Sequence, residues 1–114
     1  MPRYCVVYLG GEPPSSPEEG QRHFAEYMDW LAALGDAAVS PANPLKNTHT
    51  IGPDGGVTTG GTTTMSGYTV LEADSMEAAL SIARTCPFLA VGGSLEVSEL
   101  AQMPGAAKET DHPG

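Results

Sequence analysis

Residues 3 to 9, "RYCVVYL", are apolar, aromatic and β-branched without a breaker until Gly10-Gly11, a pattern that predicts a first strand. Apolar residues lie on both of its faces, Tyr4, Val6 and Tyr8 on one and Cys5, Val7 and Leu9 on the other. The period then changes. Ser16-Pro17-Glu18-Glu19 writes a helix start, with Ser16 as cap, Pro17 at the first helical position and Glu19 completing a capping box. The helix is expected to run to Leu34 and stop at Gly35, with Phe24, Met28, Leu31 and Leu34 on its apolar stripe and Tyr27 beside it.

"DAAVSPANPL" begins as a short strand and is expected to break at Pro41 and Pro44, as an edge or a loop crossing the end of the sheet. "THTI" and "GVTT" around Gly52-Pro53-Asp54-Gly55 predict a small hairpin. Residues 67 to 72, "GYTVLE", predict a central strand. Asp74-Ser75-Met76-Glu77 offers a second helix cap, followed by the stripe Met76, Ala79, Leu80 and Ala83 ahead of Pro87. "SLEVSEL", residues 94 to 100, alternates as a last strand, with Leu95 and Val97 towards the helices and Glu96 and Ser98 on the opposite, open face. The order is β, α, β with a hairpin, β, α, β: an α+β, ferredoxin-like split βαβ domain over residues 1–100, with both helices on one face of an antiparallel sheet. Residues 101–114 have neither period nor apolar mass and are expected to form a mobile tail.

Composition narrows the partners. A chain of 114 residues has room for one core. Fourteen acidic against five basic side chains give a formal charge of -9, which opposes binding to nucleic acid or to an anionic membrane. No cationic and apolar leader and no apolar run of membrane-span length is present, so a soluble, cytoplasmic protein is expected. Cys5 and Cys86 belong to no ligand spacing and are expected to be buried, reduced thiols. His49 and His112 have no metal-ligand companions, and no serine sits in G-x-S-x-G. No metal, nucleotide, flavin or other cofactor is expected.

Several phrases, in order over residues 4 to 100, resemble the YCII-related family and its DGPF-type members: "YCVVYLGGE", "MDWLAALGDAAV", "THTIGPDGGVTT", "SGYTVLEADSMEAALSIARTCP" and "GGSLEVSEL". The resemblance implies a homodimeric α+β barrel in which the open faces of two sheets meet around a cleft. The chain departs from the pattern at Thr59-Gly60-Gly61-Thr62-Thr63-Thr64, where DGPF-type relatives carry their namesake turn. No lysine follows these glycines and no helix is predicted to start at Gly61, so the segment is expected to be a turn and not a phosphate loop.

His23 lies on the edge of the first helix's stripe, four residues before Tyr27, and is the candidate general acid or base. In smaller YCII-like relatives a histidine at this place pairs with an aspartate two residues before the helix-ending glycine; here that position is Ala33. Tyr8, Tyr27, Met28 and Tyr68 are the expected walls of that interfacial cleft, which would take a small, partly apolar molecule, and Glu96 on the open face is a candidate contact. Two functions remain open on these grounds: a small-molecule-binding or accessory homodimer with its cleft at the subunit interface, bordered by His23, and a cofactor-independent enzyme of lyase, isomerase or dehalogenase type using His23.

Overall fold

The computed structural model describes residues 1–101. Its elements are β1 (Arg3–Gly10), α1 (Pro17–Leu34), β2 (Ala38–Pro44), β3 (His49–Ile51), β4 (Val57–Thr59), β5 (Met65–Glu72), α2 (Met76–Ala83) and β6 (Gly93–Glu99), with 3₁₀ turns at Gly35–Ala37 and Pro87–Val91. Four strands form one antiparallel sheet in the order β2-β5-β1-β6, and β3 and β4 pair separately as a hairpin. The fold is α+β with split βαβ topology, as the element order predicts. All but Ala101 of the expected tail lies outside the described residues.

Pleating sorts the strands into two faces. Tyr4, Val6 and Tyr8 of β1 and Thr69 and Leu71 of β5 are buried, with Leu95 and Val97 of β6 beside them. Both helices cover this face: Trp30 and Leu31 of α1 pack with Val6, Tyr8 and Leu71, and Ala79 of α2 packs with Tyr4 and Ala73. The other face presents Cys5, Val7, Tyr68 and Val70. Cys5 is thus half-buried, because alternation points it away from the helices, whereas Cys86 is buried in the core; both thiols are free. Burial pushes both up from their ordinary range, which favours the protonated thiols.

Local chemistry explains the ends of α1. The Glu19 amide donates to Ser16 Oγ at 3.1 Å, while the Glu19 carboxylate accepts from the Ser15 hydroxyl at 2.6 Å and the Ser15 amide at 3.3 Å. The reciprocal arm of the box therefore reaches one residue further back than expected, and these bonds hold the Glu19 carboxyl below its usual range. Ser75 caps α2 through the Ala78 amide at 3.1 Å.

The buried seam of α1 is Tyr27, Trp30, Leu31 and Leu34, which corrects the expected stripe: Phe24 is 63% and Met28 44% exposed. At about 100° per residue, Trp30 lies on the opposite flank of Tyr27 from Phe24 and Met28. The helix is rolled towards Trp30, whose indole N–H donates to Thr85 Oγ1 at 2.7 Å just beyond α2. The apolar surface of Phe24 and Met28 is left facing a cavity.

Strand β2 corrects a second expectation. It continues through Pro41 and Pro44 as an edge strand, with two register shifts against β5. An edge needs no donor on its outer side, so proline is tolerated there. The end of β2 lies close over Gly67, where a Cβ would stand 2.9 Å from the Asn43 carbonyl oxygen. Only glycine admits this approach. The threonine-rich segment is irregular, as expected, and is tied by Gly60 N–H to the Thr48 carbonyl (2.7 Å) and by Gly10 N–H to the Thr64 carbonyl (3.2 Å).

Candidate functional site

A cavity of about 610 Å³ opens between the N-terminal half of α1 and the sheet. One wall is α1, with His23, Phe24, Tyr27 and Met28 across two successive turns; the floor is Tyr8; the opposite wall is the end of β2, Ala42 to Pro44. Pro14 and Phe88 close its ends and Ser66 stands at the rim. Phe88 packs against Tyr8 with ring centroids 5.4 Å apart, and it sits so close over Gly93 that a side chain there would overlap its ring. Tyr27 meets Tyr8 edge to face at 5.8 Å and stacks on Trp30 at 6.1 Å.

The walls are mostly apolar, with His23, Asn43, Ser66 and a pair of tyrosine hydroxyls as their polar groups. The Tyr8 and Tyr27 hydroxyls lie 2.9 Å apart, Tyr8 also contacts Thr69 Oγ1, and Thr69 donates to the Pro41 carbonyl at 2.6 Å. Thr69 is fully buried, and its polar atom is satisfied entirely by this chain. Burial pushes the Tyr8 phenol far above its ordinary range, so it stays neutral. Asn43, also on the wall, spends its amide hydrogens on Ser40 O (3.3 Å), Ser40 Oγ (2.9 Å) and Tyr68 O (3.1 Å), and so acts as a brace for β2.

Four residues singled out in the sequence, Tyr8, His23, Tyr27 and Met28, are brought together on this cavity. Tyr68 and Glu96 are not among them. Tyr68 stands opposite Val7 on one side and Glu96 opposite Val7 on the other, so the three form a row on the face away from the helices. Tyr68 follows Gly67 and precedes Thr69, both on the helix side, and alternation alone sends it to the other face. Within one chain Glu96 therefore cannot orient His23. His23 is half-buried and makes no hydrogen bond to a carboxylate among the described residues; Arg3 and Glu72, at 3.3 Å, form the ion pair found there. The described residues hold no group of three or more potential metal ligands.

Thr69, Asn43 and Phe88 were not singled out from the sequence. Thr69 had a usable signal: in "GYTVLE" it shares the inward face with Leu71, and a hydroxyl on an inward face must find a partner.

No family model matches the chain, and no curated protein matches it. Among solved structures, it is similar to 5-chloro-2-hydroxyhydroquinone dehydrochlorinase from Burkholderia phenoliruptrix, in complex with 2,5-dihydroxybenzoquinone, at 17% identity and a TM-score of 0.48 over 89% of this chain and 96% of that one. A likeness of that size says nothing about what this chain binds. No helix among the described residues is long and apolar enough to cross a membrane.

Proposed function

We propose that this chain is a small-molecule-binding protein whose ligand occupies the cavity between α1 and the sheet. The supporting observation is the cavity itself: its volume lies in the ordinary range for ligand pockets, and its apolar walls surround one small cluster of hydroxyls. Met28 is on the α1 wall with 44% of its surface exposed, so the larger ring of Met28→Trp should narrow the cavity without disturbing the core. A ligand found by thermal-shift screening should lose at least about tenfold in affinity to Met28→Trp, a difference near 1.4 kcal/mol. Unchanged affinity would place the ligand elsewhere.

His23 favours a second reading, in which the cavity is an active site and the imidazole is the acid or base. It sits on the wall one helical turn from Tyr27. A general base contributes roughly 10²- to 10⁴-fold when its tautomer and basicity are set by a partner. Without such a partner, binding with little or no turnover is expected, and His23→Ala should alter affinity while leaving the fold intact. Turnover of the ligand at several per second (a rate on the order of ordinary enzymes), abolished in His23→Ala with affinity retained, would establish the enzyme.

The active form is proposed to be a homodimer joined through the open sheet face. Val7, Val70, Tyr68 and Cys5 leave that face largely apolar, and elsewhere the hairpin exposes Ile51 and Val57, paired across its two strands. Contiguous apolar surface of this kind drives association. Such a dimer would bring Tyr68 and Glu96 to its interface. Sedimentation at micromolar concentration should show a dimer, and a monomer there would exclude it.

A further inference from the structure

The hydroxyl chain at the floor of the cavity has a direction, and that direction is set at its far end. The Pro41 carbonyl can only accept, so the single proton of Thr69 Oγ1, 2.6 Å away, lies between them. With that proton used, Thr69 must accept from Tyr8, with which it is in hydrogen-bond contact. The Tyr8 proton is thereby used as well, and the proton between Tyr8 and Tyr27, 2.9 Å apart, must come from Tyr27. Three contacts consume three hydroxyl protons. The longer approach of Tyr27 to Thr69, 3.4 Å, brings no additional proton. Running the chain the other way would leave the Thr69 and Pro41 oxygens 2.6 Å apart with only lone pairs between them. The chain therefore ends, on the cavity side, in a phenol oxygen that has given away its proton and can only accept.

We propose that the cavity selects a neutral, largely apolar molecule carrying a hydroxyl or N–H that donates to the Tyr27 phenol oxygen, and discriminates against analogues that can only accept. The inference rests on the small-molecule-binding reading above. Neutrality is favoured by the walls, which carry no Asp, Glu, Lys or Arg, so that apart from His23 nothing on them could pair with a charge. Asn43 has no spare amide hydrogen to serve an acceptor, and Ser66 is exposed at the rim. The His23 ring can donate or accept, according to tautomer, and so does not impose a preference. An ether or ketone oxygen placed against Tyr27 would meet lone pairs and leave both oxygens without a donor.

Calorimetry with three probes of one shape tests this: 2-naphthol, which donates; 2-methoxynaphthalene, which only accepts; and naphthalene, which does neither. Wild type should bind the naphthol about tenfold more tightly than the ether, the worth of one hydrogen bond against an unmade one. Tyr27→Phe should bring that ratio to within about twofold, since the acceptor is gone. Thr69→Val should invert the preference: Tyr8, deprived of its acceptor, turns its proton to Tyr27, and Tyr27 then offers its own to the cavity. Equal binding of naphthol and ether by wild type, or a tenfold preference that survives Tyr27→Phe, would overturn the inference alone, whether or not Thr69→Val folds. Failure of all three probes to bind would overturn the cavity reading and this inference with it.

Discussion

Trp30→Ala should cost about 3–5 kcal/mol, the range for deleting a large aromatic side chain from a packed core. Against a total stability of roughly 5–15 kcal/mol for a domain of this kind, that leaves a substantial population unfolded near 37 °C. The size of the loss follows from what Trp30 joins. It is buried against Leu31, it stacks on Tyr27, and its indole N–H reaches Thr85 beyond α2, so one side chain ties α1 to the far end of the second helix. Urea denaturation followed by circular dichroism measures the loss; fluorescence cannot, since Trp30 is the chain's single tryptophan. Trp30→Phe separates the contributions: it keeps most of the apolar area and gives up the hydrogen bond, so about 1 kcal/mol of the loss beyond the change in area is expected. A cost below about 1 kcal/mol for Trp30→Ala would show that the helix is not held at this point.

The second large effect is alkaline. Tyr8 is buried, and burial raises its phenol well above the ordinary tyrosine value near 10. In the unfolded chain Tyr8 releases its proton near pH 10, while in the folded chain it keeps it. Above that pH the unfolded state binds fewer protons, so stability that is fully present below pH 10 is lost at about 1.4 kcal/mol per pH unit as pH rises towards the folded value. Urea midpoints between pH 9 and pH 12 should fall at least this steeply in wild type, since the raised Tyr4 phenol and the two raised thiols add to the loss, and less steeply in Tyr8→Phe by the Tyr8 share. Identical slopes would mean that the Tyr8 hydroxyl reaches water in the folded protein and that the hydroxyl chain does not close as described.

The same residues show what a sequence discloses and where it stops. Strand and helix types were legible because each depends on a local period and on punctuation close by: Gly10-Gly11 after β1, Ser16 before α1, Ser75 before α2. The roll of α1 was not, because it is decided by a bond from Trp30 to Thr85, 55 residues away, which no helical period encodes. The edge place of β2 was legible in its prolines, but its continuation through them was not, for a related reason. Two prolines argue against a strand, and only the neighbouring edge position and the glycine at 67 make one possible. Of the candidate site, Tyr8, His23, Tyr27 and Met28 line one cavity, but it lies within a single chain between α1 and the sheet, whereas the sequence reading puts the cleft between the open sheet faces of two chains. Tyr68 was grouped with them by chemistry, although its register beside Val7 turns it the other way.

The far end of the hydroxyl chain is a main-chain atom. The acceptor at position 41 belongs to the backbone, and its place is set by the course of β2, not by the side chain there. The polarity of the cavity is therefore tied to strand geometry at one end and to replaceable hydroxyls at the other. Anyone re-engineering this pocket to receive a ketone or an ether has no purchase at position 41 and has to work through Thr69 or Tyr8, where removing one oxygen frees the Tyr27 proton for the cavity.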